Sequence, residues 1–128
     1  MPRRLIKSDG LPSLATKVFN KEHPFPIAVA PVGVQRIFNP EGEIASAKAA
    51  AKESTPYIMS TASSTSIEDV AKANGNGVRW YQLYWPFKDE VTISILDRAK
   101  KAGFSALFVT VDTYILGWRP TDMDNGWA

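Results

Sequence analysis

The 128-residue sequence has no cysteine and a single histidine. Without cysteine there is no thiol nucleophile, thiolate zinc cage, iron–sulfur cluster or disulfide staple, and His23 alone cannot build a multi-histidine metal site. No run reaches the roughly 18 consecutive apolar residues that a membrane span needs. The twin Arg3-Arg4 is followed by no apolar signal-peptide stretch, so the chain reads as intracellular, cytoplasmic and soluble. Neither sign of charge dominates. The 15 basic and 13 acidic side chains, net +2, are well mixed and form no basic stripe of the kind nucleic acid requires. What remains is 45% hydrophobic and 22% charged, the composition of one globular domain. The length is nevertheless only about half of the ~250 residues typical of an eight-unit barrel.

Residues 1–26 are polar and carry Pro2, Pro12, Pro24 and Pro26, which predicts a surface-hugging lead-in with at most a short extended piece near Leu14 to Phe19. Ile27-Ala28-Val29-Ala30, between Pro26 and Pro31, predicts a strand buried on both faces. Asn39-Pro40-Glu41 reads as a helix start, with Asn39 as N-cap and Pro40 at the first helical position, and the helix runs from Glu41 to about Glu53. Tyr57-Ile58-Met59 is the second strand. It ends in the hydroxyl-rich run Ser60 to Ser66, where Ser66 caps a helix with Asp69 in a capping-box-like position. After the Asn74-Gly75-Asn76-Gly77 turn come a third strand from Val78 to Tyr84, a helix from Lys88 to Ala102 stopped by Gly103, and a buried fourth strand from Ala106 to Val111. Strand and helix alternate about every 25 residues, which implies parallel strands with right-handed crossovers. No glycine-rich dinucleotide loop follows the first strand, and polar groups collect at each strand's C-terminal end. That favours a barrel with its site at this rim over an open doubly wound sheet.

Period-two alternation sends Trp80, Gln82 and Tyr84 to one face of the third strand and Tyr81, Leu83 and Trp85 to the other. Gln82 and Tyr84 either meet a polar ligand at the strand's exit or satisfy each other or a buried water. On the fourth strand, Thr110 and Asp112 share a face. Asp112 is either a helix cap or the orienter of a cationic or histidine partner. Arg119, in Gly117-Trp118-Arg119-Pro120, either clamps a carboxylate bidentately or is an ordinary solvated arginine. Ser60 either donates to a ligand oxygen or belongs to a loop that caps the next helix. His23 precedes Pro24 with no acidic or nucleophilic neighbour at meaningful spacing, and no catalytic role is assigned to it.

Four stretches, PIAVAPVGVQRIFNPEGE from Pro26, STASSTSIEDVA from Ser60, WYQLYW from Trp80 and FVTVDTYILGWRP from Phe108, share their order and spacing with a known family. They resemble the FMN-dependent 2-hydroxy-acid oxidases and dehydrogenases, which include glycolate oxidase, lactate oxidase and lactate 2-monooxygenase. The pairing of GWRP with the earlier motifs is most similar to the lactate 2-monooxygenase branch. The resemblance implies an α/β fold, part of a (β/α)8 TIM barrel with parallel strands. Residues 1–26 would be its lead-in and 27–128 its N-terminal half, roughly the first four strand–helix units. It implies FMN as cofactor, with the backbone of Pro31, Val32 and Gly33 along the flavin and Ser60, Gln82 and Thr110 hydrogen-bonded to the isoalloxazine ring. Tyr84 and Arg119 would hold the 2-hydroxy-acid substrate, and Asp112 would orient the family's catalytic histidine.

In the family that histidine takes a proton from the substrate while the equivalent of a hydride reaches flavin N5. The histidine, a lysine near flavin N1 and a second arginine come from later strands, beyond Ala128, and the tyrosine of the family's N-terminal segment is also absent. The resemblance therefore implies a fragment that is inactive alone, since general-base catalysis is typically worth about 10²–10⁴-fold. Weak FMN affinity follows from missing phosphate loops, and self-association from unpaired edge strands. A non-catalytic half-barrel binding or assembly module is the alternative. A barrel enzyme of other chemistry, such as a phosphate-sugar isomerase, is disfavoured because no Lys or Glu stands at these strand ends.

Overall fold

The computed structural model describes residues 10–113, 115 and 117–126. The lead-in contains a hairpin, with β1 (Thr16–Val18) antiparallel to β2 (Lys21–His23) and Val18 opposite Lys21. Its two turn residues, Phe19 and Asn20, both have positive φ, 49° and 62°, as a two-residue turn matching the twist of its strands demands. Asparagine tolerates that conformation and phenylalanine does not favour it, so the sequence carries only half of the usual signal. The Phe19 ring compensates by meeting Trp80 and Phe108 edge-on, at 5.2 and 5.9 Å between centroids.

The predicted first strand forms only a single parallel bridge, between Val29 and Tyr57. Val29 N–H donates to the Pro56 carbonyl at 2.9 Å and Ile58 N–H to the Val29 carbonyl at 3.1 Å. Pro26 and Pro31 cannot donate ladder bonds on either side. Burial on both faces is also corrected, because Ile27 is 63% exposed with no strand beyond it among the described residues.

Next comes a 3-10 turn, Gln35–Ile37, and then α1 (Glu43–Lys52), whose N-cap is Gly42 and not Asn39. Asn39-Pro40-Glu41-Gly42 is instead a reverse turn. Gly42 N–H donates to the Asn39 carbonyl at 2.9 Å, and Asn39 Oδ1 accepts from Glu41 N–H at 2.8 Å. Proline at the second turn position fits this as well as it fits a helix start. Gly42 itself has φ 50°, and a Cβ there would fall 2.7 Å from Arg36 Cγ, so only glycine fits.

The remaining elements follow the sequence reading within a residue or two: β3 (Tyr57–Met59), α2 (Ile67–Asn74), β4 (Arg79–Tyr84), α3 (Asp89–Lys101) and β5 (Leu107–Thr110). Ser66 caps α2, its Oγ accepting from Asp69 N–H at 3.1 Å. A five-residue helix, α4 (Pro120–Asp124), lies near the end. The sheet runs β3-β4-β5, all parallel, with the Val29 bridge outside β3, so spatial order equals chain order. Tyr57, Met59, Tyr81 and Leu83 pack with Ala47, Ala50, Ile67, Val70 and Ala99 in one core cluster, which places α1, α2 and α3 on one face. Unbroken order with helices on one side only is an arc of a parallel barrel and not a doubly wound sheet. The arc is not closed. β5 is its edge, and Leu107 and Val109, expected in a buried strand, are 43% and 40% exposed because no helix covers them among the described residues. No helix among the described residues is long and apolar enough to cross a membrane.

At the sheet's N-terminal end the half-buried Arg79 gathers several chain turns. Its Nε donates to the Ala102 carbonyl at 2.9 Å, and its Nη1 to the carbonyls of Gly75 at 2.9 Å and Gly77 at 3.2 Å. Arg79→Met keeps the aliphatic stem but strands these acceptors. We expect it to cost about 2–3 kcal/mol in urea denaturation, with the denaturant slope unchanged.

Candidate functional site

The parallel register brings the polar strand ends together. Tyr84 pairs with Thr110 and Gln82 with Phe108, so the side chains of Ile58, Trp80 and Phe108 share a face with those of Gln82, Tyr84 and Thr110, with Gln82 level with Phe108 and Tyr84 and Thr110 beyond them. The one-face alternation read from β4 holds. Apolar rings fill the N-terminal part of this face, and the polar groups crown its C-terminal end.

Gln82 is buried, but it is satisfied by neither Tyr84 nor the pairings considered from sequence. Thr61 N–H donates to Gln82 Oε1 at 3.2 Å, and Gln82 Nε2 donates to Thr110 Oγ1 at 2.8 Å. A backbone N–H can only donate, so this geometry fixes which way the amide faces. Thr61, which sequence reasoning passed over, continues the β3–β4 ladder with its side chain. Its hydroxyl donates to the Gln82 carbonyl at 2.5 Å and accepts from Tyr84 N–H at 3.0 Å. Ser60 is also buried. Its Oγ accepts from Ala62 N–H at 3.1 Å, and its own hydroxyl hydrogen has no acceptor among the described residues.

Pro31, Val32 and Gly33 lie on the loop beside this row. Val34 N–H donates to the Ala62 carbonyl at 2.9 Å, and a Cβ on Gly33 would sit 3.1 Å from Ala62 Cβ. The contact between the two rim loops is thus tight at Gly33, where a side chain would make Ala62 give way by a few tenths of an ångström. Tyr84 is 42% exposed and lines an open cleft of about 410 Å³ with Trp85, Val109, Thr110, Val111 and Thr113.

Two candidates stand apart from this cluster. Asp112 is exposed, with Thr113 Oγ1 at 3.5 Å from its Oδ1, and it caps no helix, since α4 begins at Pro120 after Arg119. The cost of a buried carboxylate does not arise there. The Arg119 guanidinium is exposed and pairs with Asp122 Oδ2 at 3.2 Å within its own turn. Tyr114 and Leu116, in the stretch between them, lie outside the described residues. His23 is buried at the other end of the sheet face, its ring 5.9 Å from that of Trp80.

The central residue missed from sequence is Glu43, which is 0% exposed. Its Oε1 accepts from Gln35 N–H at 3.0 Å and Ser64 N–H at 2.9 Å, and its Oε2 from the hydroxyls of Ser64 and Thr65, both at 2.7 Å. Burial alone would raise its pKa. The hydrogen bonds from Ser64, Gln35 and Thr65 outweigh that and hold it at about 2 instead of the ordinary 4.5. Gln35 extends the network, donating from Nε2 to the Val32 carbonyl at 3.1 Å and to Tyr57 Oη at 3.3 Å, and accepting from Ser46 Oγ at 2.6 Å. The Tyr57 hydroxyl is pushed up to about 12, mainly by burial, with the Glu43 charge adding to the shift. The only sequence signal for this network was an acid in the first turn of α1 together with a hydroxyl-rich run.

Comparison with known proteins gives a consistent picture. The model of the FMN-dependent dehydrogenase family matches residues 1–128. An FMN-dependent alpha-hydroxy acid dehydrogenase of Schizosaccharomyces pombe is 64% identical over 129 residues, covering 99% of this chain and 31% of that protein. An L-lactate oxidase of Lysinibacillus sphaericus is 44% identical over 108 residues, covering 84% of this chain and 28% of the oxidase. A mandelate oxidase variant carrying an FMN adduct superposes with a TM-score of 0.88 at 38% identity, covering 100% of this chain and 38% of that one. The chain spans about a third of the length of the curated relatives it matches.

The Glu43 network has a pH signature. Its folded pKa lies below the ordinary value, so its contribution to stability is full above about pH 4.5 and is lost as pH falls toward 2. The shift corresponds to a loss on the order of 3 kcal/mol. Urea denaturation at stepped pH should show that slope, and Glu43→Gln should flatten it.

Proposed function

This chain belongs to the FMN-dependent dehydrogenase family, and from that premise we propose that its strand-end row forms one wall of a flavin site for oxidising a 2-hydroxy acid. The observation that carries the proposal is the run of mixed donors and acceptors across three adjacent strand ends. The Ser60 hydroxyl hydrogen is unused among the described residues, and Gln82 retains a second amide N–H. Thr110 Oγ1 accepts from Gln82 and still has its own hydrogen to give. An isoalloxazine edge alternates carbonyl oxygens with ring nitrogens, so it needs such a row. The donor set therefore fits FMN, with Ser60, Gln82 and Thr110 toward the ring and the Pro31–Val32–Gly33 backbone beside it. Bound there, FMN supplies a two-electron acceptor.

The chain's own residues then divide the remaining work. Gln82, locked by Thr61 and Thr110, presents its amide without reorganising, which is the condition for electrostatic preorganisation. Tyr84, exposed in its cleft above Thr110, and Arg119 bind the substrate, Arg119 through the carboxylate once it exchanges Asp122 for that ligand. Asp112 orients a histidine that is not among these residues. The one histidine here, His23, is buried beside Trp80 toward the N-terminal end of β4. These 128 residues accordingly bind flavin weakly and do not turn over alone, the proton-accepting base, a lysine and a second arginine being supplied from outside them. Lactate with lactate 2-monooxygenase-type chemistry is the finer form of the proposal, supported by Gly117-Trp118-Arg119-Pro120. A cytoplasmic location belongs to the same proposal and rests on the mixed charge and globular composition.

The open edge of β5 supports self-association. Leu107, Val109 and Val111 are exposed along it, beside ladder groups with no further strand among the described residues.

Three measurements test these statements. FMN fluorescence titration should detect binding, and Gln82→Leu should weaken it about tenfold or more. With lactate, FMN and an artificial electron acceptor the purified chain should show no turnover, and turnover by a 128-residue monomer would sink the proposal. In sedimentation equilibrium the average mass should rise with concentration and Val109→Lys should suppress the rise, whereas a strict monomer at every concentration would rule out self-association.

A further inference from the structure

We propose that Glu43 is a positioning residue for the flavin ring: its carboxylate clamps the 31–35 segment to the 60–65 turn and so sets where the Pro31–Gly33 backbone and the Ser60 hydroxyl meet the ring. The inference rests on the cofactor reading above and deepens it.

Two segments far apart in sequence must hold a fixed separation if both are to touch one planar ring. Direct bonding between them is otherwise sparse, with one backbone pair, Val34 N–H to the Ala62 carbonyl at 2.9 Å, and, just past the first segment, Arg36 N–H to the Ser64 side-chain Oγ at 3.2 Å. Glu43 spans the junction with four accepted bonds, one from the first segment and three from the second. Each side is relayed to the rim. On the first, Gln35, whose N–H is held by Glu43, turns its side-chain amide onto the Val32 carbonyl. On the second, Ser63 N–H donates to the Ser60 carbonyl at 3.2 Å and Ala62 N–H to Ser60 Oγ, which orients the Ser60 hydroxyl.

The clamp depends on an acceptor-only group. A glutamine at 43 would keep one oxygen for the two backbone N–H groups but turn an amide N–H₂ toward Ser64 and Thr65. Ser64 Oγ already accepts from Arg36 N–H, so two donors would converge on it while its own hydrogen lost its acceptor. The result is a local conflict between the two rim segments. The sheet ladder is untouched.

The test uses the full chain with riboflavin as probe, since the residues concerned hold the ring and not the phosphate. Glu43→Gln is compared with wild type and with Ala99→Gly, a buried substitution in α3 that also lowers the melting temperature. While each variant stays folded by circular dichroism, loss of global stability leaves apparent affinity unchanged. Glu43→Gln should then weaken riboflavin binding about tenfold or more and speed amide exchange of Val34 and Ala62 about tenfold. Exchange of Leu83 and Val109 should speed up only as far as the loss of global stability requires, as it does in Ala99→Gly, with the tenfold change at Val34 and Ala62 in excess of that, and Ala99→Gly should stay within about twofold of wild-type affinity. If Glu43→Gln does not fold, Thr65→Val, which removes one of the four bonds, should shift the same quantities about threefold in the same direction. Wild-type binding with unaltered affinity in the variant that folds, or unaltered Val34 and Ala62 exchange, overturns the inference alone. A wild-type chain that binds neither riboflavin nor FMN overturns the cofactor reading and this inference with it.

Discussion

A carboxylate with no exposure must find hydrogen-bond donors or lose its charge. Glu43 finds four, and they belong to the two loops that flank the polar strand ends. That requirement organises the C-terminal side of the molecule. It anchors the 3-10 turn through Gln35 and the hydroxyl-rich turn through Ser64 and Thr65. It also makes sense of the close Gly33–Ala62 approach, because two loops held to one carboxylate leave only tight space for a Cβ between them. The run of serines and threonines after β3 is then more than a helix-capping loop. Its hydroxyls hydrogen-bond a buried charge at Ser64 and Thr65, continue a strand ladder at Thr61 and cap α2 at Ser66.

The sheet divides its labour by face. Helices cover one side, and the hairpin places Phe19 and His23 against Trp80 on the other. Rings at one end of that inner face and a hydroxyl–amide row at the other give a solid floor beneath a polar rim. In parallel barrels ligands are met at this rim, because consecutive strands all end there and neighbouring ends supply different groups to one site. Gln82 and Thr110 show the principle, since twenty-eight residues separate them in sequence and one hydrogen bond joins them in space.

Legibility followed locality. Tyr57–Met59 and the Ser66 cap were readable because a short apolar run and a Ser/Asp spacing each act within a few residues. The faces of β4 were readable because alternation is geometric. Asn39-Pro40 misled because proline after asparagine suits both a helix start and a reverse turn, and Gly42, which decides between them, acts through a clash with Arg36. The hairpin escaped because its turn uses Phe19 where a small residue is usual, and what stabilises it is a ring stack with distant strands. The burial expected of Ile27–Ala30 and of β5 failed because burial requires neighbours, and apolar composition alone cannot supply them.

Composition and periodicity were enough to mark a parallel α/β chain and to place Ser60, Gln82 and Thr110 at strand ends, and the order of four motifs carried the resemblance to the flavin-dependent 2-hydroxy-acid family. These properties reside in single elements or in the linear order of motifs. Packing decided which amide group Gln82 satisfies, how closely Gly33 approaches Ala62, and that Glu43 ties the rim together. Each of those depends on distances between segments far apart in the chain, and such distances exist only once the strands have paired and the helices have closed over one face.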